Sequence, residues 1–482
     1  MLIVHSYVPK ALLVGTMFPL PKIKGFTTYS EKYRAITLSG CILKVLDLLI
    51  LSEQRLCLET DVLQFGFKEN CSTTLCTLAF QEICEYFNSE KSAVYSLLLD
   101  ATKAFDRVNY AKLFRILIDR GMNSVFIRLL LRLYTSQTLR VNWQGFISAE
   151  FTVTNGVRQG GVLSPILFIV YLDALISKLR LSGLGCYVGP HFTGVLAYAD
   201  DLVLLSPTKS GLKAMAKICD DFSNEYDITF NAAKSQYCVF RKSRRVQDSS
   251  IVFRNTSLPE QAFVSHLGHK LFCNPKCDNI DGVIASFYRQ YNVFKSRFGC
   301  VPSSIQSELF SKHCSSFYGC LLLPFRKCLK RLQVVWRKAL RKVWRLPSLT
   351  HCSILRCLSP GLCDLHMFVS RCIKAVVHIM NYGPEFLRFL CKLSLESKSS
   401  NLADNVSLCC QYLEQDLWQI LSLTPECAAS LVKTKCLTDC RKPTSKCAAE
   451  VMKELINCRD NLMDCGLTTY EICVILNDLS IN

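Results

Sequence analysis

Short apolar runs and longer amphipathic stretches alternate along the first half of the chain. Runs rich in aromatic and β-branched residues predict strands, at 33–38, 94–99 and 237–240. Stretches with apolar residues three and four positions apart predict helices, at 40–51, 72–88, 123–135, 165–181 and 210–226. From residue 278 onward the pattern is helical. We therefore expect an α+β protein with a mostly α-helical C-terminal region.

Two adjacent acids interrupt the apolar pattern within 196–205. Asp200 and Asp201 lie between two runs of strand length, so a hairpin would bring both carboxylates to its turn. Like charges side by side repel, and hard divalent cations such as Mg²⁺ bind carboxylate oxygens. A solvated Asp-Asp turn is the alternative, because Asp favours turns.

A third acid, Asp100, follows the apolar run at 94–99. If this strand ends beside the hairpin, Asp100, Asp200 and Asp201 meet at one edge of a sheet. Three such carboxylates could hold two metal ions ~3.5–4 Å apart, the arrangement used for in-line phosphoryl transfer. Among the three, Asp201 is the weakest candidate for a direct ligand.

The charge balance favours a polyanionic partner. The chain has 57 Lys and Arg against 39 Asp and Glu, a formal net charge of +18, which is typical of nucleic-acid binding. Acidic membranes are the alternative, but the sequence has no amphipathic anchor at either end. Its longest apolar run, at 162–176, contains Asp173 and is too short to span a bilayer.

Basic residues concentrate in the segment 326–345, which contains nine of them and no acid. Its apolar residues fall on one helical face, so the opposite face suits the phosphates of a duplex. A helix lying on a membrane surface is the alternative. Nucleic-acid contacts are predicted for Lys330, Arg337, Lys338, Arg341 and Lys342.

The 28 cysteines are scattered through apolar runs, and no secretory signal precedes them. We therefore expect reduced, buried, intracellular thiols. The spacing of Cys436, Cys440, Cys447 and Cys458 fits no common zinc motif.

Three stretches occur in the order and spacing of reverse transcriptases: the Asp100 stretch, the glycine-rich segment 155–165, and the box Tyr198-Ala199-Asp200-Asp201. In the middle stretch, glycines allow a ligand to approach the backbone and Gln159 can donate to a phosphate or sugar oxygen. A glycine loop before a helix is the alternative. In detail the chain resembles the polymerase of a non-LTR (LINE-type, jockey-like) retrotransposon, over 10–275 and weakly to 355.

The resemblance implies a right-hand polymerase with fingers, a palm built on an antiparallel sheet, and a helical thumb. The reverse transcriptase domain would span 1–275, with fingers at about 1–93 and palm at about 94–275. A helical basic thumb would follow at 276–358, then a helical Cys-rich region of unknown role at 359–482. Residues from 360 onward could instead form a separate protein- or RNA-interaction module.

The resemblance also implies site residues. Those that would bind the nucleotide are Lys22, Lys24, Arg34, Phe105, Gln159, Gly160 and Lys234, with Arg158 contacting nucleic acid. Phe105 would exclude a ribose 2′-hydroxyl, and 263–268 resembles the hairpin that grips the primer. A core Phe and solvated basic side chains are the plainer alternatives. Asp106 is expected to cap the following helix. The stretch 64–74 resembles a fingers motif, although Glu69 and Asn70 depart from its pattern, which weakens a template contact there.

The implied activity is RNA-directed DNA synthesis, in which dNTPs are added to a primer 3′-hydroxyl. Asp100, Asp200 and Asp201 would hold two Mg²⁺ ions, with Mn²⁺ as a substitute. The implied partners are an RNA template and a DNA primer or target, in the nucleus, the cytoplasm or both. The abrupt start leads us to expect that an endonuclease portion lies outside this chain. The alternative is a truncated, catalytically inactive remnant that only binds nucleic acid.

Overall fold

The computed structural model describes residues 3, 5–22, 29, 32–102, 104–242, 250–274, 277–314, 317–350, 352, 355 and 364–440. It divides into two compact units. Unit 1 comprises Met1–Phe80 and Glu90–Gly268, and unit 2 comprises Gln81–Ser89 and His269–Asn482. Lys24, Cys447 and Cys458, which the sequence analysis considered, lie outside the described residues.

The strands of unit 1 form two larger sheets and two hairpins. They are β1 (Val14–Pro21), β2 (Tyr33–Leu38), β3 (Val94–Thr102), β4 (Thr138–Trp143), β5 (Phe146–Ile147), β6 (Phe151–Thr152), β7 (Tyr187–Val188), β8 (His191–Phe192), β9 (Val195–Tyr198), β10 (Asp201–Ser206), β11 (Thr229–Phe230), β12 (Gln236–Phe240), β13 (Ile251–Phe253), β14 (Thr256–Leu258), β15 (Glu260–Gln261) and β16 (Phe263–His266). The first sheet has the order β2-β1-β4-β5, with β6 also paired to β4. The second has the order β15-β12-β3-β10-β9, with β11 also paired to β3.

Helices cover these sheets, and one of them contributes residues to both units. They are α1 (Lys10–Leu13), α2 (Cys41–Glu53), α3 (Arg55–Leu58), α4 (Thr73–Ser89), α5 (Tyr110–Asp119), α6 (Ser124–Thr135), α7 (Ser164–Leu181) and α8 (Lys209–Tyr226). The five predicted helices of this region correspond to α2, α4, α6, α7 and α8, within a few residues at each end. The predicted strands at 33–38 and 237–240 are also confirmed, as β2 and β12.

The second sheet has its core on both faces because its central strands are largely apolar. β10 buries every residue after Asp201, and Leu97 and Leu99 of β3 are at most 2% exposed. On one side α8 contributes Leu212, Met215 and Phe222, which are fully buried and recur at helical spacing. Burying such a side chain stabilises the folded state by ~1.5–3 kcal/mol. The sheet is therefore a stable support for the side chains at its edge.

The predicted end of β3 at Asp100 is wrong. The strand continues to Thr102 because β11 pairs with its last residues, in the register Thr229↔Thr102 and Phe230↔Ala101. The Asn231 amide also donates to the Asp100 carbonyl at 2.8 Å. Asp100 therefore lies inside a hydrogen-bonded strand, where its backbone is held on both sides.

Unit 2 is predominantly helical in its described part. Its elements after α4 are β17 (His269–Phe272), α9 (Ile280–Phe298), α10 (Ser303–His313), α11 (Phe325–Val343), α12 (Asp364–Tyr382), α13 (Glu385–Ser397), α14 (Asn401–Leu413), α15 (Leu417–Leu421) and α16 (Pro425–Cys440). An aromatic cluster lies at its centre: Trp336 is fully buried, 4.7 Å from Phe310 and 5.8 Å from Phe317 between ring centroids. The predicted α+β class with a helical C-terminal region is confirmed.

Most cysteines of the described residues are free thiols, and many are buried, as the sequence predicts. Burial raises the pKa of thiols such as Cys219 and Cys391 above their ordinary value. These sulfurs are therefore protonated core atoms. The prediction is wrong for Cys238 and for Cys273, because each of them is disulfide-bonded.

A carboxyl group is buried inside unit 2. Glu82 of α4 is 0% exposed, and within the described residues neither of its oxygens has a hydrogen bond of ordinary length. Burial and the nearby Glu85 raise its pKa, which Ser394, Ser400 and the Leu402 backbone lower only in part. The native protein therefore keeps a proton on Glu82 that the unfolded chain releases above its ordinary pKa of 4.5.

This proton makes the stability of unit 2 depend on pH. Because the pKa is raised in the folded state, the stabilisation is fully present below the unfolded value and is lost as pH rises. We expect Glu82→Gln to remove up to ~1.4 kcal/mol per pH unit of this decline. Urea unfolding followed by circular dichroism at pH 5, 6.5 and 8 measures it, with the exposed Glu426→Gln as control. Parallel declines in wild type and Glu82→Gln would contradict it.

Candidate active site

Strand pairing brings the three predicted acids together. β3 and β10 are antiparallel in a register that places Asp100 opposite Asp201, and β9 and β10 form the predicted hairpin, with Tyr198 opposite Asp201. Asp200 lies in the turn of this hairpin, after Ala199 in a left-handed conformation with φ 57°. Directly opposed residues of an antiparallel pair have Cβ atoms ~4.5–5.5 Å apart. The carboxylates of Asp100 and Asp201 therefore lie side by side on the same face of the sheet.

These carboxylates perturb one another. Burial raises the pKa of Asp200, and the charge of Asp100 raises it further, while Arg34 and Lys234 lower it. Burial, then Asp200 and Asp100, raise the pKa of Asp201 to about 6. The site is thus a partly buried concentration of negative charge that favours any added cation.

Lys234 is the basic side chain closest to this charge among the ion pairs of the described residues. Its Nζ lies 3.2 Å from Asp100 Oδ2, and its backbone is fixed in a short helical turn, Ala232–Lys234. Because both side chains are substantially exposed, at 64% and 37%, the pair adds little stability. Its main effect is to place an ammonium group beside the carboxylates.

The donor set fits a hard divalent cation, since carboxylate oxygens are the ligands that Mg²⁺ prefers. Among the described residues, no group of three or more His, Cys, Asp or Glu side chains is arranged to enclose a metal ion. The fit therefore depends on the type of donor atom and on charge, and the residues that could hold a cation are Asp100, Asp200 and Asp201.

A pocket of about 360 Å³ opens beside the carboxylates. It is lined by Leu98, Leu99, Asp100, Asp201, Leu202, Lys234, Gln236, Ser265, His266 and Leu267. The Ser265 amide donates to Gln236 Oε1 at 2.9 Å, which ties the predicted primer hairpin to β12.

The glycine-rich loop before α7 packs against the turn that follows β3. Gln159 Nε2 donates to Asp106 Oδ1 at 2.7 Å, and the Gly156 and Val157 amides donate to Val108 and Phe105 carbonyls. A Cβ on Gly156 would lie 2.8 Å from Asp106 backbone atoms, so glycine is required there. The predicted cap role of Asp106 is wrong, because Asn109 caps α5 instead.

Gly160 makes a second close approach, to β2. Its φ is +117°, and a Cβ there would lie 2.5 Å from the Thr37 carbonyl oxygen. The Thr37 amide donates to the Gln159 carbonyl at 2.6 Å. Gln159 is therefore held from both sides, with its side chain directed to Asp106.

Phe105 is half-buried and stacks on Phe168 of α7, with centroids 4.5 Å apart. Phe67 meets its edge at 6.3 Å. The ring thus has a packed face and a partly exposed surface, five residues along the chain from Asp100.

Arg158 points into the protein. Its Nε donates to Gln137 Oε1 at 2.7 Å, its guanidinium lies 5.3 Å from the Tyr134 ring centroid, and its charge acts on the half-buried Asp47. Asp47 in turn accepts from the Val162 amide at 3.1 Å. These contacts give Arg158 a role in supporting the loop; a nucleic-acid contact stays a prediction.

The predicted triphosphate residues lie on the first sheet. Arg34 is an exposed residue of β2 whose charge reaches Asp200. Lys22 is exposed just after β1, where its amide donates to the Lys32 carbonyl at 2.8 Å. Arg34 is thus associated with the acids electrostatically.

The sequence analysis missed Gln64 and Gly66. Gln64 is 0% exposed, and its Oε1 accepts from the Ala199 amide at 2.9 Å and the Gly66 amide at 2.8 Å. A Cβ on Gly66 would collide with the Ala199 backbone nitrogen. A polar residue between apolar neighbours, two positions before a glycine, was the available signal.

In unit 2, α11 carries the predicted basic face. Lys330, Lys338 and Lys342 are exposed and Arg337 is half-buried. Arg341 donates to the Thr350 carbonyl at 2.8 and 2.9 Å. These hydrogen bonds hold the segment that follows α11 against the end of the helix. The lysines lie eight and four positions apart, so they share one stripe of the helix.

No helix among the described residues combines the length and apolar content that a membrane crossing requires.

Comparisons with known proteins identify the family of this chain. The family described as "Reverse transcriptase (RNA-dependent DNA polymerase)" matches residues 20–271. The polyprotein of the type-2 retrotransposable element R2DM of Drosophila melanogaster is 30% identical over 208 residues, 42% of this chain and 19% of the relative. The probable RNA-directed DNA polymerase from transposon X-element, also of Drosophila melanogaster, is 24% identical over 64% of this chain and 35% of its own length. The chain thus spans a third or less of the length of most of these relatives.

Among solved structures, apo telomerase from Candida Tropicalis aligns with a TM-score of 0.40 and 13% identity, over 83% of this chain and 68% of that chain. The predicted resemblance to reverse transcriptases of non-LTR retrotransposons is confirmed by the named relatives, which also include the mobile element jockey. The family match covers the three acids, the glycine-rich loop and every strand of the second sheet of unit 1. The chain belongs to the reverse transcriptase (RNA-dependent DNA polymerase) family.

Proposed function

We propose that this chain is an RNA-directed DNA polymerase of a non-LTR retrotransposon, which adds dNTPs to a primer 3′-hydroxyl on an RNA template. The observation that carries the proposal is the register of β3 and β10, which sets Asp100 opposite Asp201 with Asp200 at the adjacent turn. In a member of this family, that edge is where phosphoryl transfer would occur. Residues 1–275 would form fingers and palm, and 276–358 the thumb.

Asp100, Asp200 and Asp201 would hold divalent ions, two Mg²⁺ or Mn²⁺ in their place. Bound there, the ions would lower the pKa of the primer hydroxyl and neutralise charge on the triphosphate and the departing pyrophosphate. Burial, and then the charges of Asp200 and Asp100, raise the pKa of Asp201. A bound cation would offset this concentration of negative charge.

Basic and amide groups around the acids would orient the nucleotide. Lys234, beside Asp100, would neutralise charge on the leaving pyrophosphate or donate a proton to it. Arg34, with Lys22 and Lys24, would bind the triphosphate. Gln159, whose other amide hydrogen is not taken by Asp106, would donate to a phosphate or sugar oxygen, with the Gly160 backbone close by.

The partners follow from the same assignment. An RNA template and a DNA primer or target would lie along the site, with Arg158 contacting the template strand and the stripe Lys330–Lys338–Lys342, together with Arg337 and Arg341, contacting duplex phosphates. Target-primed synthesis on chromosomal DNA would place the protein in the nucleus at least in part. Nicking of the target would then come from an endonuclease portion outside this chain.

Asp200→Asn removes one negative charge while preserving the side-chain shape. We expect primer extension on a poly-rA template with an oligo-dT primer and Mg²⁺ to fall by about 10²–10³-fold, while duplex binding persists. Asp221→Asn, an exposed acid of α8, is the matched control and should extend like wild type. Binding without extension by any of the three proteins would instead support the catalytically inactive remnant.

Phe105→Val tests the sugar-discriminating role. A smaller side chain leaves room for a 2′-hydroxyl, so UTP incorporation relative to dUTP should rise about tenfold or more. Steady-state kcat/KM for both nucleotides on poly-rA measures the ratio. Phe114→Val, the same change at a buried site in α5, should leave the ratio unchanged; an unchanged ratio in Phe105→Val would reject the role.

Neutralising Lys338 and Lys342 together should weaken duplex binding and its salt dependence. Removing one phosphate-binding lysine reduces the slope of log K against log salt by about 0.9 on duplex DNA, so removing the pair should reduce it by about 1.8. Fluorescence anisotropy between 50 and 300 mM KCl measures the slope. The control is Lys392→Gln/Lys433→Gln, at two exposed lysines of α13 and α16, which should keep the wild-type slope. Equal slopes in the two double variants would exclude the Lys338 and Lys342 face of α11 as the duplex-binding surface.

A further inference from the structure

The catalytic turn has an unfavourable backbone conformation at Ala199. Its φ of 57° belongs to the left-handed region, which residues with a Cβ seldom occupy. Such a conformation persists only where surrounding contacts determine it. Ala199 is also the residue directly before Asp200, so its backbone sets where that carboxylate begins.

Gln64 supplies those contacts. Its Oε1 accepts from the Ala199 amide at 2.9 Å, and its Nε2 lies 3.5 Å from the Ala199 carbonyl oxygen. One carboxamide thus faces both polar backbone groups of the left-handed residue. Gln64 is fully buried, so its carboxamide is shielded from bulk solvent.

The segment around Gln64 is bound to the hairpin along its backbone. The Ala197 amide donates to the Leu63 carbonyl at 2.9 Å, and the Phe65 amide donates to the Ala197 carbonyl at 2.7 Å. The collision that a Cβ on Gly66 would make with Ala199 shows how closely the two backbones approach. Leu63–Gly66 therefore forms a backing layer for the catalytic turn.

The backing layer is itself anchored to α7. Arg180 donates to both oxygens of Asp61 at 2.6 and 2.5 Å, and Asp173 Oδ1 accepts from the Asp61 amide at 2.8 Å. Lys68 Nζ donates to the Asp61 carbonyl at 2.5 Å. This network fixes the segment on both sides of Gln64, so Gln64 transmits a rigid position to the turn.

We propose that Gln64 is a positioning residue for catalysis: it holds Ala199 in its left-handed conformation and thereby sets Asp200 and Asp201 against Asp100. This inference rests on the proposed polymerase function. It gives this stretch a role directed at the acids. Misplacement of reacting groups by about 1 Å can cost about a hundredfold in rate, so the contribution of Gln64 should appear in kcat.

The experiment compares Gln64→Met, which keeps the length and removes the hydrogen bonds, with Gln64→Glu. A buried glutamic acid held neutral offers one acceptor and one donor, as the carboxamide does. We expect kcat of Gln64→Met to fall about 10–100-fold, with KM for dNTP and for the duplex changed less than about threefold. Gln64→Glu should restore most of the wild-type kcat.

Tyr171→Phe is the matched control. It also removes a hydrogen bond to a backbone carbonyl, from the Tyr171 hydroxyl to Tyr226 at 2.7 Å, away from the turn. Thermal unfolding of each variant shows whether stability falls equally. We expect comparable loss of stability in Tyr171→Phe with wild-type kcat. If Gln64→Met does not fold, the kcat of Gln64→Glu is compared instead with those of Tyr171→Phe and wild type. A kcat of Gln64→Glu far below both would overturn the positioning role, because the carboxylic acid keeps the hydrogen bonds on which that role depends.

The outcomes separate this inference from the proposed function. If wild type does not extend primers, the polymerase proposal fails. If wild type extends and Asp200→Asn does not, yet Gln64→Met keeps wild-type kcat, only the positioning role of Gln64 is overturned. A rise in KM with unchanged kcat would likewise overturn it in favour of a binding contact.

Discussion

The antiparallel pairing of β3 with β10 is the constraint on which the rest of the site depends. It places Asp100 opposite Asp201, and the β9–β10 turn adds Asp200. The arrangement costs free energy, because it partly buries carboxylates and sets their like charges side by side. Burial first, and the neighbouring acids second, raise the pKa values of Asp200 and Asp201. Buried apolar residues on both faces of the sheet hold the strands in this register, since a slip of one residue would turn every side chain to the opposite face.

Two segments pack beside the acids and are fixed by hydrogen bonds to the rest of unit 1, and we call them the two supports of the site. One is the glycine-rich loop, which is tied to Thr37, Asp106 and Asp47 and directs Gln159 to Asp106. The other is the segment around Gln64, anchored through Asp61 to α7 and in contact with Ala199. Both supports meet at α7, whose N-terminus receives the loop and whose middle carries Asp173. α7 is buried nearly all round because it is the common base of the two.

Much of this architecture is predictable from the sequence because apolar periodicity determines which residues must be buried. The hairpin at Asp200, the helix α7 behind its Pro165 and the apolar face of α8 all follow from local pattern. The details that were wrong depend on tertiary contacts. Asp106 and Asn109 are both good capping residues. In the structure Asn109 caps α5, while the Asp106 carboxylate accepts from Gln159, a residue distant in sequence. The continuation of β3 past Asp100 likewise depends on β11, more than a hundred residues away.

The role of Gln64 also depends on tertiary contacts that the sequence does not reveal. A glutamine whose side chain is buried cannot be distinguished in sequence from one that contacts a template, because both need a polar residue at that position. Arg158 is similar, since its cation–π contact with Tyr134 and its hydrogen bond to Gln137 join segments that are distant in sequence. The three acids can be predicted from the sequence because they occur in motifs with a characteristic order and spacing. The groups that position them cannot, because their roles depend on contacts between segments that are distant in sequence.

The central claim, that Asp100, Asp200 and Asp201 form one cation site, is tested most directly by iron-mediated cleavage. Fe²⁺ would replace Mg²⁺, ascorbate and peroxide would generate hydroxyl radicals at the bound ion, and mass spectrometry would locate the backbone breaks. A shared site predicts cleavage near residue 100 and near residues 200–201 together, both suppressed by excess Mg²⁺ and by Asp200→Asn. Cleavage at only one of these segments, or only at segments remote from both, would contradict it.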